Sequence, residues 1–293
     1  MNYNDPSWSY KQHDADELSS FQLRRVPSTI SQPETIDAWR HYRMLQPTLI
    51  LSKFFPQSKW ITIGDGNFGS DAYFLKQNSV DVLATSLNDL SLSLAKDRGY
   101  LEKYKSENAE KISFADDSFD FVLCKEAYHH FPRPAIAFYE MLRVCKKAMV
   151  LIEPHESSKK ILDSAKDRFK QLIRNEESAL FEPCGNFIFR INIKEIKKMM
   201  TSLNYKVMAV KLESDLFYPP LTQKKRSESF SFFLVKLGIF IQNLLGSLRI
   251  LDFRLACVII FKEDPSDSLL REIKKNGFKI ISLPKNPFLA PEK

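Results

Sequence analysis

Short apolar runs alternate along this chain with segments whose apolar residues recur every three or four positions. The first run, 60–63, ends at Gly64, and a helix pattern follows it. Alternation of this kind predicts a mostly parallel β-sheet with helices on both faces. Strands are predicted at 60–63, 80–85, 119–124, 148–152, 205–212, 256–261 and 278–283. Helices are predicted at 33–55, 71–76, 89–104, 134–145, 157–174, 192–202, 228–247 and 268–275.

A glycine-rich turn directly follows the first predicted strand, with the sequence Gly64-Asp65-Gly66-Asn67-Phe68-Gly69. Glycine lets a backbone approach a ligand closely, and the start of the next helix presents free N–H groups. The spacing also matches a dinucleotide-binding fingerprint. A glycine turn without a ligand remains an alternative for this motif alone.

The second predicted strand ends in Ser86, Leu87, Asn88 and Asp89. Nucleotide-binding folds often place an acidic residue here, where it holds the ribose hydroxyls. Ser86 occupies that place in this chain. Asn88 and Asp89 are typical helix-capping residues, and one of them is expected to cap the next helix.

A third group of motifs surrounds the strand at 119–124. Residues 107–110 read Glu-Asn-Ala-Glu, residues 116–120 read Asp-Asp-Ser-Phe-Asp, and His129-His130 follow the strand. Residues 140–144 read Glu-Met-Leu-Arg-Val. In this order and spacing, segment 60–154 strongly resembles class I S-adenosylmethionine-dependent methyltransferases. Segments 124–134 and 283–288 are further similar to a bacterial subgroup associated with surface-polysaccharide gene clusters.

The resemblance implies a Rossmann-like, seven-stranded, mostly parallel sheet whose last strand is antiparallel, and S-adenosylmethionine as cofactor. It implies that the glycine loop faces the methionine part of the cofactor, that Ser86 and Leu87 lie at the ribose, and that Asn108 and Ala109 lie at the adenine. Lys125 is expected where the sulfonium meets the substrate. The implied cofactor-binding residues are Gly64, Asp65, Gly66, Asn67, Ser86, Leu87, Asn108, Ala109 and Lys125.

Three positions depart from the family pattern. Thr62 stands where many members have an acidic residue, and Phe68 stands where the usual loop has its third glycine. Ser86 replaces the ribose acid, so one neutral hydrogen bond replaces two charge-assisted ones, a loss of about 1–3 kcal/mol. The serine leaves open a second function, that of a catalytically inactive scaffold or binding protein with this fold.

His129, His130 and Glu126 are the candidate catalytic bases, because they follow the fourth strand at the carboxyl edge of the sheet, where ligands bind in open α/β folds. The alternative for either histidine is packing or helix capping. No metal site is predicted, since neighbouring histidines point apart and no third ligand is spaced with them.

The expected acceptor is a small molecule or saccharide: a sugar, nucleotide-sugar or glycan. A nicotinamide-dependent oxidoreductase is a third reading of the glycine loop, but the Ser-Phe-Asp and His-His context disfavours it. The absence of an Asn/Asp-Pro-Pro-Tyr/Phe tetrapeptide after the fourth strand argues against a nucleic-acid base as acceptor. A net charge of +7 permits an anionic partner.

Four widely spaced cysteines and a polar N-terminus predict a cytoplasmic protein with reduced thiols. The apolar stretch 230–248 contains Lys236 and Gln242, so a buried or groove-lining helix is expected there and no transmembrane span. The predicted organisation is a flexible arm at 1–33 and a methyltransferase domain at 34–293, with a helical insertion around 157–250.

Overall fold

A computed structural model describes residues 8–12, 14–15, 26–156, 181 and 187–288 of the chain. Within them, eight strands form one sheet in the order β3-β2-β1-β4-β5-β7-β6-β8. The strands are β1 (Lys59–Ile63), β2 (Asp81–Ser86), β3 (Tyr104–Ser106), β4 (Phe119–Lys125), β5 (Cys145–Pro154), β6 (Val207–Glu213), β7 (Leu255–Phe261) and β8 (Lys279–Ser282).

Strands β1 to β5 pair in parallel, as predicted from the alternation of strands and helices. β7 runs antiparallel to β5 on one side and to β6 on the other. Successive residues of β1 and β4 enter different apolar clusters: Trp60 and Phe121 pack in one, Ile61 and Val122 in the other. Both faces of the sheet are therefore covered, which explains the continuous apolar runs in the central strands.

The expected α/β fold is confirmed, but the sheet has one strand more than the seven implied by the resemblance. β8 adds to the edge strand β6 in antiparallel orientation, with Ala209 opposite Ile280. No strand was predicted at β3, which begins at Tyr104, the last residue of the helix predicted at 89–104. That helix ends at Asp97 because the chain turns at Gly99, whose φ of +78° favours glycine.

The helices lie on both sides of this sheet and agree with the predicted positions to within a few residues, except at 89–104. The predicted helix 157–174 falls outside the described residues, and the division into arm, domain and insertion stays a prediction. The helices are α1 (Ser28–Ser31), α2 (Ile36–Phe54), α3 (Ser70–Gln77), α4 (Leu90–Asp97), α5 (Pro134–Val144), α6 (Ile193–Ser202), α7 (Pro219–Thr222), α8 (Ser229–Ser247) and α9 (Asp267–Lys275).

Helix α2 is N-capped by Thr35, whose hydroxyl accepts the N–H of Ala38. Its buried Met44, Leu45 and Leu51 belong to the same apolar cluster as Trp60. α2 also contacts α3, and its Asp37 and His41 line one cavity with Ser70 and Asp71 at the start of α3. This position brings polar residues of α2 close to the loops described below.

Helix α8 differs from the expectation of a buried or groove-lining helix. It is long and apolar enough to cross a membrane by length and composition, yet only 22% of its apolar window is buried. Val235 and Ile239 pack against Ile36 of α2, while much of the remaining apolar surface faces outward. Because apolar residues occur all around this helix, composition alone does not predict which face packs against the rest of the protein.

Candidate functional site

Three loops at the carboxyl edge of the sheet surround one cleft of about 230 Å³. They follow β1, β2 and β3, and the segment after β4 closes the far side. Of the residues predicted to bind cofactor or catalyse, most line this cleft: Gly64, Gly66, Asn67, Ser86, Leu87, Asn108, Ala109, Glu126 and His130. Asp65, Lys125 and His129 are the predicted residues that do not line it.

The glycine loop leaves the cleft open because its bulky residue turns away. Gly64 has a φ of +75°, and a Cβ there would lie 2.5 Å from the Cβ of Ala127, so the backbone forms a cradle that only glycine permits. Phe68 is buried, 2% exposed, in the cluster that contains Trp60, and its ring faces the guanidinium of Arg98. It therefore does not occupy the space in which a ligand would lie.

Asp65 points away from the cleft and into the start of α3. Its carboxylate accepts the N–H groups of Asp71 and Ala72 at 3.2 and 2.8 Å, and the hydroxyl of Thr62 at 3.0 Å. Burial and the neighbouring Asp71 raise its pKa. The carboxylate of Asp65 therefore joins the glycine loop to the start of α3. It also binds Thr62, the residue that stands where many family members have an acid.

The end of β2 contributes Ser86 and Leu87 to the cleft wall. The adjoining helix is capped by Asn88, whose Oδ1 accepts the N–H of Leu90, and Asp89 makes no side-chain cap. The hydroxyl of Ser91 on α4 donates to the carbonyl of Gly66. This bond ties the glycine loop to the β2 loop and fixes the width of the cleft between them.

Residues 107–110 form the third wall, and its carboxylates are already engaged. Glu107 accepts the N–H of Ser113 at 2.9 Å and pairs with Lys105 at 2.6 Å. Glu110 accepts the backbone N–H of Arg133 at 2.7 Å and also binds its guanidinium. Neither carboxylate is therefore held ready to replace the missing ribose acid.

Ser9 and Tyr10 also line the cleft, and no sequence motif marked them. Burial and the nearby negative charge of Glu110 raise the pKa of the Tyr10 phenol, so it stays neutral at physiological pH. The N-terminal segment therefore contributes to the wall beside Asn108. A short polar stretch without periodicity gives no signal from which this position could have been predicted.

Buried Lys125 pairs with buried Asp71 behind the cleft and with Glu126, whose side chain is 38% exposed in the cleft wall. The Lys125 ammonium lies 3.1 Å from Glu126 and 3.4 Å from Asp71. Burial favours the neutral amine, but these carboxylates raise the pKa of Lys125 above its usual range. Lys125 in turn lowers the pKa of Glu126 to about 2. Glu126 has a φ of +49°, a strained backbone of the kind that clusters at functional sites.

The two adjacent histidines occupy different environments on the short 3₁₀ helix after β4. The Nδ1 of His129 lies 2.7 Å from the carboxylate of Glu153, which also accepts the N–H groups of Ala127 and Tyr128. His130 lines the cleft, and the two rings lie 3.9 Å apart. Glu153 is fully buried, so His129 is held against the end of the sheet.

A second cavity of about 250 Å³ shares Gly64, Asn67 and Glu126 with the first. Asp65 and Lys125 line this second space, together with His41 of α2. The Nδ1 of His41 lies 3.7 Å from the Glu126 carboxylate. Burial, aided by the charge of Lys125, lowers the pKa of His41 to about 4, so the imidazole is neutral at pH 7. Sequence analysis missed His41 because it lies on a helix far from the glycine loop.

Residues 61–152 match the protein family described as methyltransferase domain. A curated relative, the uncharacterized methyltransferase YcgJ of Bacillus subtilis (strain 168), is 29% identical over 100 residues, which are 33% of this chain and 40% of that protein. The chain thus matches less than half the length of its curated relative in sequence.

Solved structures extend the likeness beyond the matched segment. The structure of YcgJ covers 77% of this chain and all of its own, with a TM-score of 0.51 and 16% identity. Magnesium protoporphyrin IX methyltransferase from Synechocystis, solved with bound S-adenosylhomocysteine, covers 87% of this chain and 99% of its own, with a TM-score of 0.55 and 9% identity. The chain therefore has the class I methyltransferase fold, and its segment 61–152 matches the methyltransferase domain family.

Proposed function

We propose that this protein is an S-adenosylmethionine-dependent methyltransferase that acts on a small molecule or a saccharide. The observation that carries the proposal is one open cleft at the carboxyl edge of the sheet, lined by Gly64, Gly66, Ser86, Leu87, Asn108 and Ala109. Parallel α/β sheets bind nucleotides at this edge. The methyltransferase-domain match from β1 to β5 covers the same loops.

In this proposal each wall of the cleft has one task. The cradle at Gly64 lets the backbone approach the methionine part of the cofactor, and Asn67 extends that loop. The Ser86 hydroxyl binds the ribose, beside Leu87. Asn108 and Ala109 bind the adenine, with Tyr10 next to them. Asp65 and Lys125 act from behind the cleft, because the first fixes the start of α3 and the second fixes Glu126.

The bound cofactor supplies a methyl group on a sulfonium, and the protein's part is to align an acceptor and remove its proton. His130 and Glu126 line the cleft, and we assign proton removal to His130 and orientation of the acceptor to Glu126. Glu126 is ionised because of Lys125, so it can accept a hydrogen bond from an acceptor hydroxyl or amine. His129, held by Glu153, is assigned a positioning role.

The second cavity supports a polar acceptor. It adjoins the cleft at Glu126 and carries the side chains of Asp37, His41 and Ser28. Hydroxyl-rich molecules are bound by such mixed donors and acceptors. A sugar, nucleotide-sugar or glycan suits this lining, and a cytoplasmic reaction agrees with the free, buried thiols of Cys124, Cys145 and Cys257.

Calorimetry with S-adenosylhomocysteine tests the cofactor assignment. Wild type is expected to bind the ligand in the micromolar range, and Ala109→Phe, which places a ring in the cleft wall, is expected to abolish binding. Ala115→Phe is the matched control, since Ala115 is exposed on a loop outside the cleft. Equal melting temperatures of the two variants show that both are folded.

A catalytically inactive scaffold is the second candidate, and Ser86 together with the engaged Glu107 and Glu110 favours it. Under that alternative, high micromolar S-adenosylmethionine or S-adenosylhomocysteine gives no heat with folded wild type. The same absence of binding would contradict the methyltransferase proposal.

A further inference from the structure

Helix α8 presents a continuous apolar stripe to solvent. Its exposed large side chains recur at spacings of three and four residues, which places them on one face of the helix. Phe230 is 74% and Phe240 is 63% exposed. The stripe consists of Phe230, Phe233, Leu237, Phe240, Ile241 and Leu244. Soluble monomers rarely expose a contiguous apolar patch of this kind without an interaction partner.

The opposite face of α8 is fixed to the protein body. Val235 and Ile239 are buried against Ile36 of α2. A Cβ at Gly238 would lie 2.7 Å from the Leu216 side chain, so the helix is closely packed there. Because one face is committed to this packing, the stripe cannot turn inward, and the helix lies along the surface.

Exposed apolar residues also stand before and after α8 in the sequence. Phe217 and Tyr218 precede it, 60% and 53% exposed, and Leu248, 60% exposed, follows its last turn. Leu216, next to Phe217 in the sequence, packs at Gly238, so this segment runs alongside the middle of the helix. Aromatic residues at the borders of such a surface are favoured where apolar chains meet water.

Basic side chains flank the stripe. Exposed Lys236 lies beside it, with its ammonium 4.5 Å from the centre of the Phe232 ring. Further exposed basic residues stand before and after the helix, while the acidic residues in the same stretch are Glu228 and Asp252. The flanking basic residues are Lys224, Lys225, Arg226, Arg249 and Arg254. The charge around the stripe is thus predominantly positive.

We propose that α8 lies in the headgroup region of an anionic lipid bilayer and attaches the protein peripherally to it. A helix with an apolar face, border aromatics and flanking Lys and Arg is the arrangement that binds such a surface. A second copy of this chain would bring like charges together, because the flanking residues are basic and the chain carries +7. A bilayer with negative headgroups complements both the apolar and the charged parts of this surface.

Vesicle co-sedimentation tests the proposal. Vesicles of phosphatidylcholine with phosphatidylglycerol are compared with phosphatidylcholine alone, at low and high salt. Wild type is expected to bind the anionic vesicles more tightly, with weaker binding at high salt. Phe233→Glu/Phe240→Glu is expected to bind at least about tenfold more weakly, since two insertions are lost. Both positions are exposed, so folding is unaffected.

The matched control is Ile136→Glu/Leu203→Glu, which adds the same charge at two side chains that are each 40% exposed, one on α5 and one directly after α6. It is expected to lose much less binding than the α8 variant. Melting temperatures close to wild type in both variants show that neither has unfolded.

Three results would overturn the proposal. The first is failure of folded wild type to bind anionic vesicles. A concentration-dependent wild-type dimer that is absent in the α8 variant would then identify a second copy of the chain as the partner. The second is equal binding by wild type and the α8 variant. The third is binding that resists alkaline carbonate extraction, since an interfacial helix is released by it and a spanning helix is not.

Discussion

At the scale of single residues, the proposed ribose contact depends on Ser86, which stands where the family pattern has an acid. The serine lies in the cleft wall, and the nearby carboxylates of Glu107 and Glu110 are bound to Lys105 and Arg133. An ordinary ribose acid would add two charge-assisted hydrogen bonds. The proposed site therefore operates with one strong cofactor contact fewer than its fold permits.

Ser86→Asp is predicted to tighten S-adenosylhomocysteine binding by about tenfold, which corresponds to about 1.4 kcal/mol. The physical reason is the second, charged acceptor for the ribose hydroxyls. Calorimetry measures the change. Ser202→Asp, at an exposed residue of α6, adds the same charge outside the cleft and should leave affinity unchanged. If Ser86→Asp binds S-adenosylhomocysteine with the affinity of wild type, the ribose does not lie next to residue 86.

His41 makes stability depend on pH. Its pKa is about 4 in the folded protein, below the usual value near 6.5. The unfolded chain therefore binds more protons between pH 6.5 and 4, and the free energy of unfolding falls as pH is lowered through that window. Above pH 6.5 the effect is absent, because the imidazole is neutral in both states.

His41→Gln is predicted to lose less stability than wild type between pH 6.5 and 4.5. Urea unfolding at several pH values in this window measures the difference. Glu126, with a pKa of about 2, stays ionised in the folded protein throughout it. Parallel pH profiles for wild type and variant would show that the buried environment of His41 does not disfavour its charged form.

At the scale of elements, the turn between β1 and α3 gives the cleft its floor. Gly64 and Gly99 share a left-handed backbone, with φ of +75° and +78°, but differ in surroundings. A Cβ at Gly64 meets Ala127 at 2.5 Å, and a Cβ at Gly99 meets nothing within 4 Å. Substitution at Gly99 therefore measures the destabilisation caused by backbone strain alone. Substitution at Gly64 adds the destabilisation caused by the clash with Ala127.

Gly99→Ala is predicted to destabilise the protein by about 1–2 kcal/mol through backbone strain alone. Gly64→Ala is predicted to cost more and to abolish S-adenosylhomocysteine binding, because the loop must move off Ala127. Urea unfolding and calorimetry measure both effects. Equal destabilisation, with binding retained in both variants, would contradict the close-approach role of Gly64.

Regular elements were predictable where one strong pattern governed them. The strands at 60–63 and 256–261 are fully buried apolar runs, and their observed bounds differ by one residue. The prediction for 89–104 was too long because its apolar residues continue past Gly99 into β3, where sheet pairing with β2 overrides helix periodicity. The strand predicted at 278–283 is observed as β8, and its antiparallel pairing with β6 places it at the edge of the sheet.

At the scale of the whole molecule, long-range placement limits what sequence can predict. The loops at 64–69, 86–89 and 107–110 were recognisable because each follows a strand of one parallel sheet. His41 and Tyr10 reach the same edge from N-terminal segments without a motif. The residues of α8 that face solvent are determined by the packing of its opposite face against α2. Hydropathy along the chain does not predict that packing.

The cleft at the sheet edge and the apolar stripe of α8 are separate surfaces. The residues that line the cleft come from the N-terminal segment and the loops after β1, β2, β3 and β4, and α8 contributes none of them. Loss of membrane binding in the α8 variant is therefore expected to leave cofactor affinity intact. The two proposals stand or fail independently.

A crystal structure of the protein with saturating S-adenosylhomocysteine tests the central claim most directly. We predict adenosyl density in the cleft, with the adenine at Asn108 and Ala109, the ribose at Ser86 and the amino-acid part at Gly64. Density for the nucleoside at another place, or an empty cleft in a crystal that contains the ligand at saturating concentration, would contradict the assignment of this edge as a methyl-donor site.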